Sequence, residues 1–140
     1  MSLEITSRTV EGIQILDLKG HLTIGQADLD FRAELDQLVA AGKLRVALNF
    51  SDLRKLDTTG LGTLLFALAK LGKAGGKLAI FDLKTSHIEL LTEARLESVF
   101  EVFRDEHDAI DSFFPDRKLH RFDILQFVES LDKKHVKPVS

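Results

Sequence analysis

The order of apolar runs predicts an α/β protein: a mixed, mainly parallel sheet opened by a β-hairpin, covered by helices and followed by one additional C-terminal helix. Three observations carry this. Two strand-like runs flank a Glu-Gly pair near the start, short β-type runs then alternate with segments of helical period, and a polar stretch at Pro115 sets an amphipathic tail apart.

Residues 3–10 and 13–19 are the opening strands, and Glu11-Gly12 between them is a compact turn in which Gly supplies positive φ. Gly20 then marks a break. In residues 27–41, Phe31, Leu35, Leu38 and Val39 recur at the spacing of one helix face, and Gly42 stands where a left-handed cap ends such a helix. Residues 44–50 have the apolar density of a buried strand, and residues 51–56 read as a polar turn. A helix over residues 59–73 follows, with Leu64, Leu65, Leu68 and Leu71 as its buried stripe and Gly75-Gly76 as its end. Residues 77–82 form the next strand. Ser86-His87-Ile88-Glu89 has the form of a capping box opening a helix with Ile88, Leu90, Leu91 and Ala94. Residues 99–103 read as a short strand, or equally as an irregular buried turn holding Phe100 and Phe103, and Asp105 caps a last domain helix that runs through Phe114 and stops at Pro115. Beyond Pro115-Asp116-Arg117-Lys118, Phe122, Leu125, Val128 and Leu131 outline an amphipathic helix, assisted by Ile124 and Phe127. The expected division is a domain over 1–115 and an extension over 116–140, whose helix packs on the domain because its apolar face is too wide to leave in water.

Composition narrows the function classes. At 140 residues, with 44% hydrophobic and 29% charged residues, the chain has the proportions of one globular domain with one core. A net charge of −3, from 19 basic and 22 acidic residues spread along the sequence, gives no footprint for a phosphate backbone, so no direct nucleic-acid binding is expected. The absence of Cys removes disulfides, thiolate catalysis and Cys-based zinc sites and fits a reducing compartment. No run approaches the roughly 20 apolar residues of a membrane helix, and the start lacks a signal-peptide core; a cytoplasmic protein without membrane insertion is expected. His21, His87, His107, His120 and His135 are scattered, without pairs or carboxylates at metal-ligand spacing, so all five read as solvated and no metal is expected.

The most informative segment is Asp57-Thr58-Thr59-Gly60-Leu61-Gly62-Thr63-Leu64, two adjacent hydroxyls at the start of an apolar helix. Either Asp57 or Thr58 is suited to cap that helix by accepting from its free N–H groups. Gly60 and Gly62 weaken a helix interior by about 1 kcal/mol each, and their missing side chains open its start to a partner's approach. Asp52 and Asp57 have no positioned acid, base or oxyanion donor beside them; Asp52 reads as ordering the turn. Arg54 and Lys55 admit weak anion binding, but the Gly-Lys-Ser/Thr ending of a P-loop is missing, which argues against nucleotide hydrolysis.

The segment Asp57-Thr58-Thr59-Gly60-Leu61-Gly62 resembles the signature of the STAS domain of bacterial anti-sigma factor antagonists, Asp-Ser-Ser-Gly followed by Leu or Ile and a small residue. The resemblance spans roughly residues 4–114 and includes the element order. It departs in having Thr at both hydroxyl positions, and Gly20-His21-Leu22-Thr23 where acidic residues are familiar. It implies a STAS-type fold and a regulatory, non-enzymatic role. Thr58 would be phosphorylated by an anti-sigma factor serine/threonine kinase, and a phosphatase would reset it. Asp57, Thr58, Thr59, Gly60, Leu61 and Gly62 would form the partner-binding segment, releasing a sigma factor when the kinase is bound. No cofactor belongs to this chain on that reading, since ATP and Mg²⁺ come with the kinase; a homodimer is left open. The alternative is an unphosphorylated accessory STAS module of a signalling scaffold or transporter complex.

Overall fold

The computed structural model describes residues 2–117 and 122–135, with side chains through Leu131. Five strands form one sheet in the order β1-β2-β3-β4-β5. Strands β1 (Leu3–Val10) and β2 (Ile13–Leu22) are the antiparallel hairpin, and β3 (Arg45–Leu56), β4 (Lys77–Phe81) and β5 (Glu101–Phe103) continue the sheet in parallel. Helices α1 (Gln26–Ala40), α2 (Thr58–Lys73) and α3 (Thr85–Glu93) are the crossovers between successive parallel strands. Their apolar stripes, including Phe31, Leu35, Leu64, Leu71, Ile88 and Leu91, meet Leu16, Leu18, Val46, Leu48 and Ile80 in the main core. The opposite sheet face holds a smaller core of Ile13, Ile15, Ala47, Ala79, Phe81 and Phe103 under the short α4 (Glu106–Asp111). Among the described residues no helix is long and apolar enough to cross a membrane.

Two sequence expectations fail at the end of the sheet nearest the motif. Gly20 is no break: β2 runs on to Leu22, with bulges between Asp17 and Lys19 and between Gly20 and His21. Residues 51–56 are no turn either, because β3 continues through them against that extension, pairing Asp52 with Lys19, Leu53 with Gly20 and Leu56 with Leu22. The physical reason is one-sided pairing. β4 leaves β3 at Asn49, so the last part of β3 has only β2 beside it and keeps Ser51, Asp52, Arg54 and Lys55 in water while Leu53 is buried. Asp52 accordingly orders no turn.

The remaining corrections are local. The helix beginning at Thr85 is not boxed by Ser86; the Lys84 N–H donates to Nδ1 of His87 at 3.1 Å. β5 is confined to three residues, with Val99 exposed. Asp105 does cap α4, accepting from Asp108 N at 2.9 Å, but that helix ends at Asp111. Phe113 and Phe114 then lie beneath cations, Lys77 over the first at 4.8 Å and Arg117 over the second at 4.0 Å. Past residue 121, the Phe122 N–H donates to Val102 O at 2.9 Å, and Ile124, at 3% exposure, joins the main core at the start of α5 (Ile124–His135). Phe127 and Val128 pack beside it and Leu125 is exposed.

Candidate functional site

The twelve-residue β3 delivers the chain to Asp57 with an extended backbone, and α2 starts at the next residue. The Asp57 carboxylate joins two elements. Oδ1 accepts from Gly60 N at 2.8 Å, capping α2, and Oδ2 accepts from Ile24 N at 3.0 Å, holding the loop between β2 and α1. Of the two capping residues open from sequence, Asp57 serves. Thr58 therefore occupies the first helical position and is exposed, while Thr59 is half-buried and its carbonyl lies 3.0 Å from the Thr63 hydroxyl.

The two glycines differ in kind. Gly60 is buried, and a Cβ there would collide with the Leu22 carbonyl oxygen and stand 2.6 Å from Leu56 Cδ1. Its missing side chain admits the chain's own β2 strand, not a partner. Leu61, 4% exposed, likewise faces the core. A Cβ at Gly62 would meet nothing within 4 Å, so this glycine is the one that leaves space on the surface. Thr58, Gly62 and Leu65 follow one another at helical spacing on the outward side of α2.

Helix α1 is locked to α2 alongside. The buried Thr63 hydroxyl donates to the Asp28 carboxylate, which Arg32 also holds at 2.8 Å. The Thr63 bond, then Arg32, keeps the Asp28 carboxyl below its ordinary range. Arg32 in turn lies 4.5 Å from the centre of the Phe66 ring. Three apolar side chains stand out from this part of the molecule: Ile24 at 77% exposure, Leu29 at 60% and Leu65 at 37%. Sequence reasoning overlooked Ile24 and Leu29 and counted Leu65 as core. The signal for Leu65 was available, since it falls at the spacing of Thr58 and Gly62 and off the stripe of Leu64, Ala67 and Leu71.

Other chemistry is thinly represented. Arg54 and Lys55 are exposed on the end of β3. His87, expected to be solvated, is instead buried at 2% exposure, edge-on to Phe50 at 5.3 Å, and burial, then nearby Lys84, pushes its imidazole down to about 4. Among the described residues one group has ligand atoms close enough for a metal: His107, Asp108 and Asp111, with His107 and Asp111 paired at 3.2 Å across one helical turn. That spacing was missed in the sequence. Arg117 already holds Asp111 at 3.0 Å, which sets a fixed positive charge against a cation there. His120 and the His135 side chain lie outside the described residues.

A mixed sheet with three helices on one face, and an Asp-capped helix with an exposed threonine at its first position, defines a small α/β domain. The chain belongs to the STAS domain family, whose profile matches residues 4–109. An anti-sigma F factor antagonist of Paenibacillus polymyxa is 24% identical over 111 residues, covering 79% of this chain and 94% of that protein. Solved structures share the fold. A Thermotoga maritima protein superimposes with a TM-score of 0.72 at 20% identity, over 77% of this chain and 92% of its own. The Bacillus cell fate determinant SpoIIAA in its phosphorylated form does so with a TM-score of 0.61 at 18% identity, over 80% and 99%.

Proposed function

We propose that this chain is an anti-sigma factor antagonist whose Thr58 is phosphorylated by an anti-sigma factor serine/threonine kinase, and that the unmodified form binds that kinase and so frees a sigma factor. The observation that carries the reading is the double use of Asp57. With one carboxylate oxygen on Gly60 N and the other on Ile24 N, it caps the helix and leaves the Thr58 hydroxyl exposed. The antagonist from Paenibacillus polymyxa and the phosphorylated form of SpoIIAA support it by kinship. The partner surface comprises Thr58, Thr59 and Gly62 together with Ile24, Leu29 and Leu65, while Asp57, Gly60 and Leu61 hold it in shape. Residues 1–115 constitute the switch domain and 116–140 an extension whose helix start packs on it through Ile124. Catalysis and its ATP and Mg²⁺ belong to the kinase; a phosphatase resets Thr58.

The switch works by charge. Phosphothreonine adds about −1.5 to −2 charges at pH 7, which a helix N-terminus tolerates in the free domain. In a complex the same charge is buried without a partner, at about 2 to 5 kcal/mol, or roughly thirtyfold or more in affinity. Incubation with the kinase and ATP, peptide mass spectrometry and a binding assay test the reading together. Phosphate is expected on Thr58, with weakened binding of the modified protein and of Thr58→Asp. Phosphate on Thr59 alone, or a Thr58→Asp variant that binds as tightly as the parent, refutes the assignment.

A further inference from the structure

Strand β1 forms one margin of the sheet, and the hairpin fixes which of its backbone groups face outward. Glu11 and Gly12 both have positive φ, 51° and 80°, as a two-residue type I′ turn requires. Val10 and Ile13, which close that turn, therefore exchange both backbone hydrogen bonds. Alternation then directs the N–H and C=O groups of Val10, Arg8, Thr6 and Glu4 toward β2, and those of Thr9, Ser7, Ile5 and Leu3 away from the sheet. The opposite margin is occupied by the chain itself, where Phe122 N–H donates to Val102 O. Of the usual defences of an edge, β1 has charged side chains at Glu4 and Arg8 but neither a proline nor a bulge, and its eight residues pair with β2 in unbroken register.

We infer that the β1 edge is an interaction surface for a second copy of this chain, the two β1 strands pairing antiparallel about a two-fold axis at Thr6. This register sets Ile5 opposite the partner's Ser7 and Leu3 opposite the partner's Thr9, matching the outward groups on both strands. It also sets Glu4 opposite the partner's Arg8, and Thr6 opposite the partner's Thr6, as non-hydrogen-bonded pairs whose side chains approach most closely. Slipping by one residue faces outward groups with inward ones. Slipping by two leaves Glu4 opposite Thr6 or Val10, and the charge match is lost.

Arg8 is already held by two carboxylates and keeps one N–H beyond them. It donates to Asp17 through Nε at 2.7 Å and Nη2 at 3.0 Å, and to Glu106 through Nη1 at 3.2 Å and Nη2, which leaves one of a guanidinium's five N–H groups. Glu4 is also paired across the hairpin with Lys19, so charge alternates through Lys19, Glu4 and the partner's Arg8 across the junction.

The chain has no cysteine, so a single introduced thiol reports this register without background. In Thr6→Cys the two Cα atoms stand about 4.5 Å apart across the axis, within the disulfide range of roughly 4.4–6.8 Å. In Glu4→Cys the offset of the two copies along the strands is about 13 Å. Mild oxidation of the full-length protein is expected to give covalent dimer at least about tenfold faster for Thr6→Cys than for Glu4→Cys, the geometry excluding the second bond. By sedimentation velocity the parent is expected to dimerise. Ser7→Pro, which removes an outward N–H and leaves the β1–β2 bonds intact, and Glu4→Arg are expected to shift it to monomer. Mixing Glu4→Arg with Arg8→Glu restores both opposite-charge pairs and should recover the dimer; if Arg8→Glu does not fold, the two single variants still decide. A parent monomeric up to millimolar concentration, equal cross-linking of the two cysteine variants, or a dimer that survives Ser7→Pro overturns the inference.

Discussion

Replacing each glycine of the motif with alanine separates a packing role from a surface role within one turn of helix. Both substitutions gain helix propensity, about 1 kcal/mol in an interior and less near a helix start. At Gly62 the new methyl meets nothing within 4 Å, so the gain stands alone. At Gly60 it collides with the Leu22 carbonyl and sits 2.6 Å from Leu56 Cδ1, where ordinary carbon contacts lie at about 3.5–4.0 Å. The Leu56 side chain can swing aside, but Leu22 and Leu56 are paired in register across β2 and β3, so the carbonyl cannot. Overpacking of this kind costs about 1 to 3 kcal/mol. The propensity gain is at least as large at Gly62, which lies deeper in the helix, so it does not offset the clash and leaves Gly60→Ala below Gly62→Ala by at least about 1 to 3 kcal/mol. For a domain of this size that is a gap of roughly 3 to 12 °C in Tm. Thermal melts followed by circular dichroism measure it, with Gly62→Ala expected at or above the parent. A Gly60→Ala protein that melts as high as Gly62→Ala would show that the β2 carbonyl does not limit this position, and the inward assignment of Gly60 would fall.

Asp57→Ala removes the acceptor for both Gly60 N and Ile24 N and is expected to lower stability by about 1 to 2 kcal/mol, whereas Asp57→Asn should retain most of it; urea titration of the three proteins checks the order. Deleting residues 118–140 strips away Ile124, 3% exposed, and its neighbours, at about 1.5 to 3 kcal/mol for that side chain alone; an unchanged Tm would show that the extension does not support the domain. His87 makes stability pH-dependent. Its imidazole falls from 6.5 to about 4 on folding, so the unfolded chain takes up the proton first. Stability is full above pH 6.5 and declines as pH falls toward about 4, by about 2 to 3 kcal/mol. Asp17, whose carboxyl is lowered chiefly by Arg8, and Asp28 act in a window below the ordinary carboxylate value of 3.8. His87→Gln, which keeps an acceptor for Lys84 N, should flatten the upper part of the profile in urea titrations between pH 5 and 7.

The hairpin, α1 and the alternation of strands with helices were legible because each rests on a local signal: Glu11-Gly12, the Phe31-Leu35-Leu38 stripe, and dense apolar runs such as residues 44–50. The far half of β3 was not. A strand paired on one side only tolerates Ser51, Asp52, Arg54 and Lys55, which in sequence are indistinguishable from a turn. At the site, the importance of Asp57 was readable from capping chemistry, but its second bond spans 33 residues and has no local trace. Gly60 was misread for a related reason. Sequence shows that a side chain is missing but not which neighbour requires it, and here the neighbour is the Leu22 carbonyl. His87 was taken as solvated because a lone His carries no period; only the packing of Phe50 and α3 reveals its burial.

Helix α2 wears two sequences at once. Gly60, Leu61 and Leu64 face the core, and Thr58, Gly62 and Leu65 face solvent together with Ile24 and Leu29 of the neighbouring loop and helix. Positions of the second set can drift without loosening the first, so on the proposed reading the identity of the kinase can change while the mechanism that reports its activity does not. A cell carrying several such domains can then insulate one circuit from the next through a few solvent-facing side chains, and exchanging those positions between two paralogues should rewire which kinase each obeys while leaving both proteins folded.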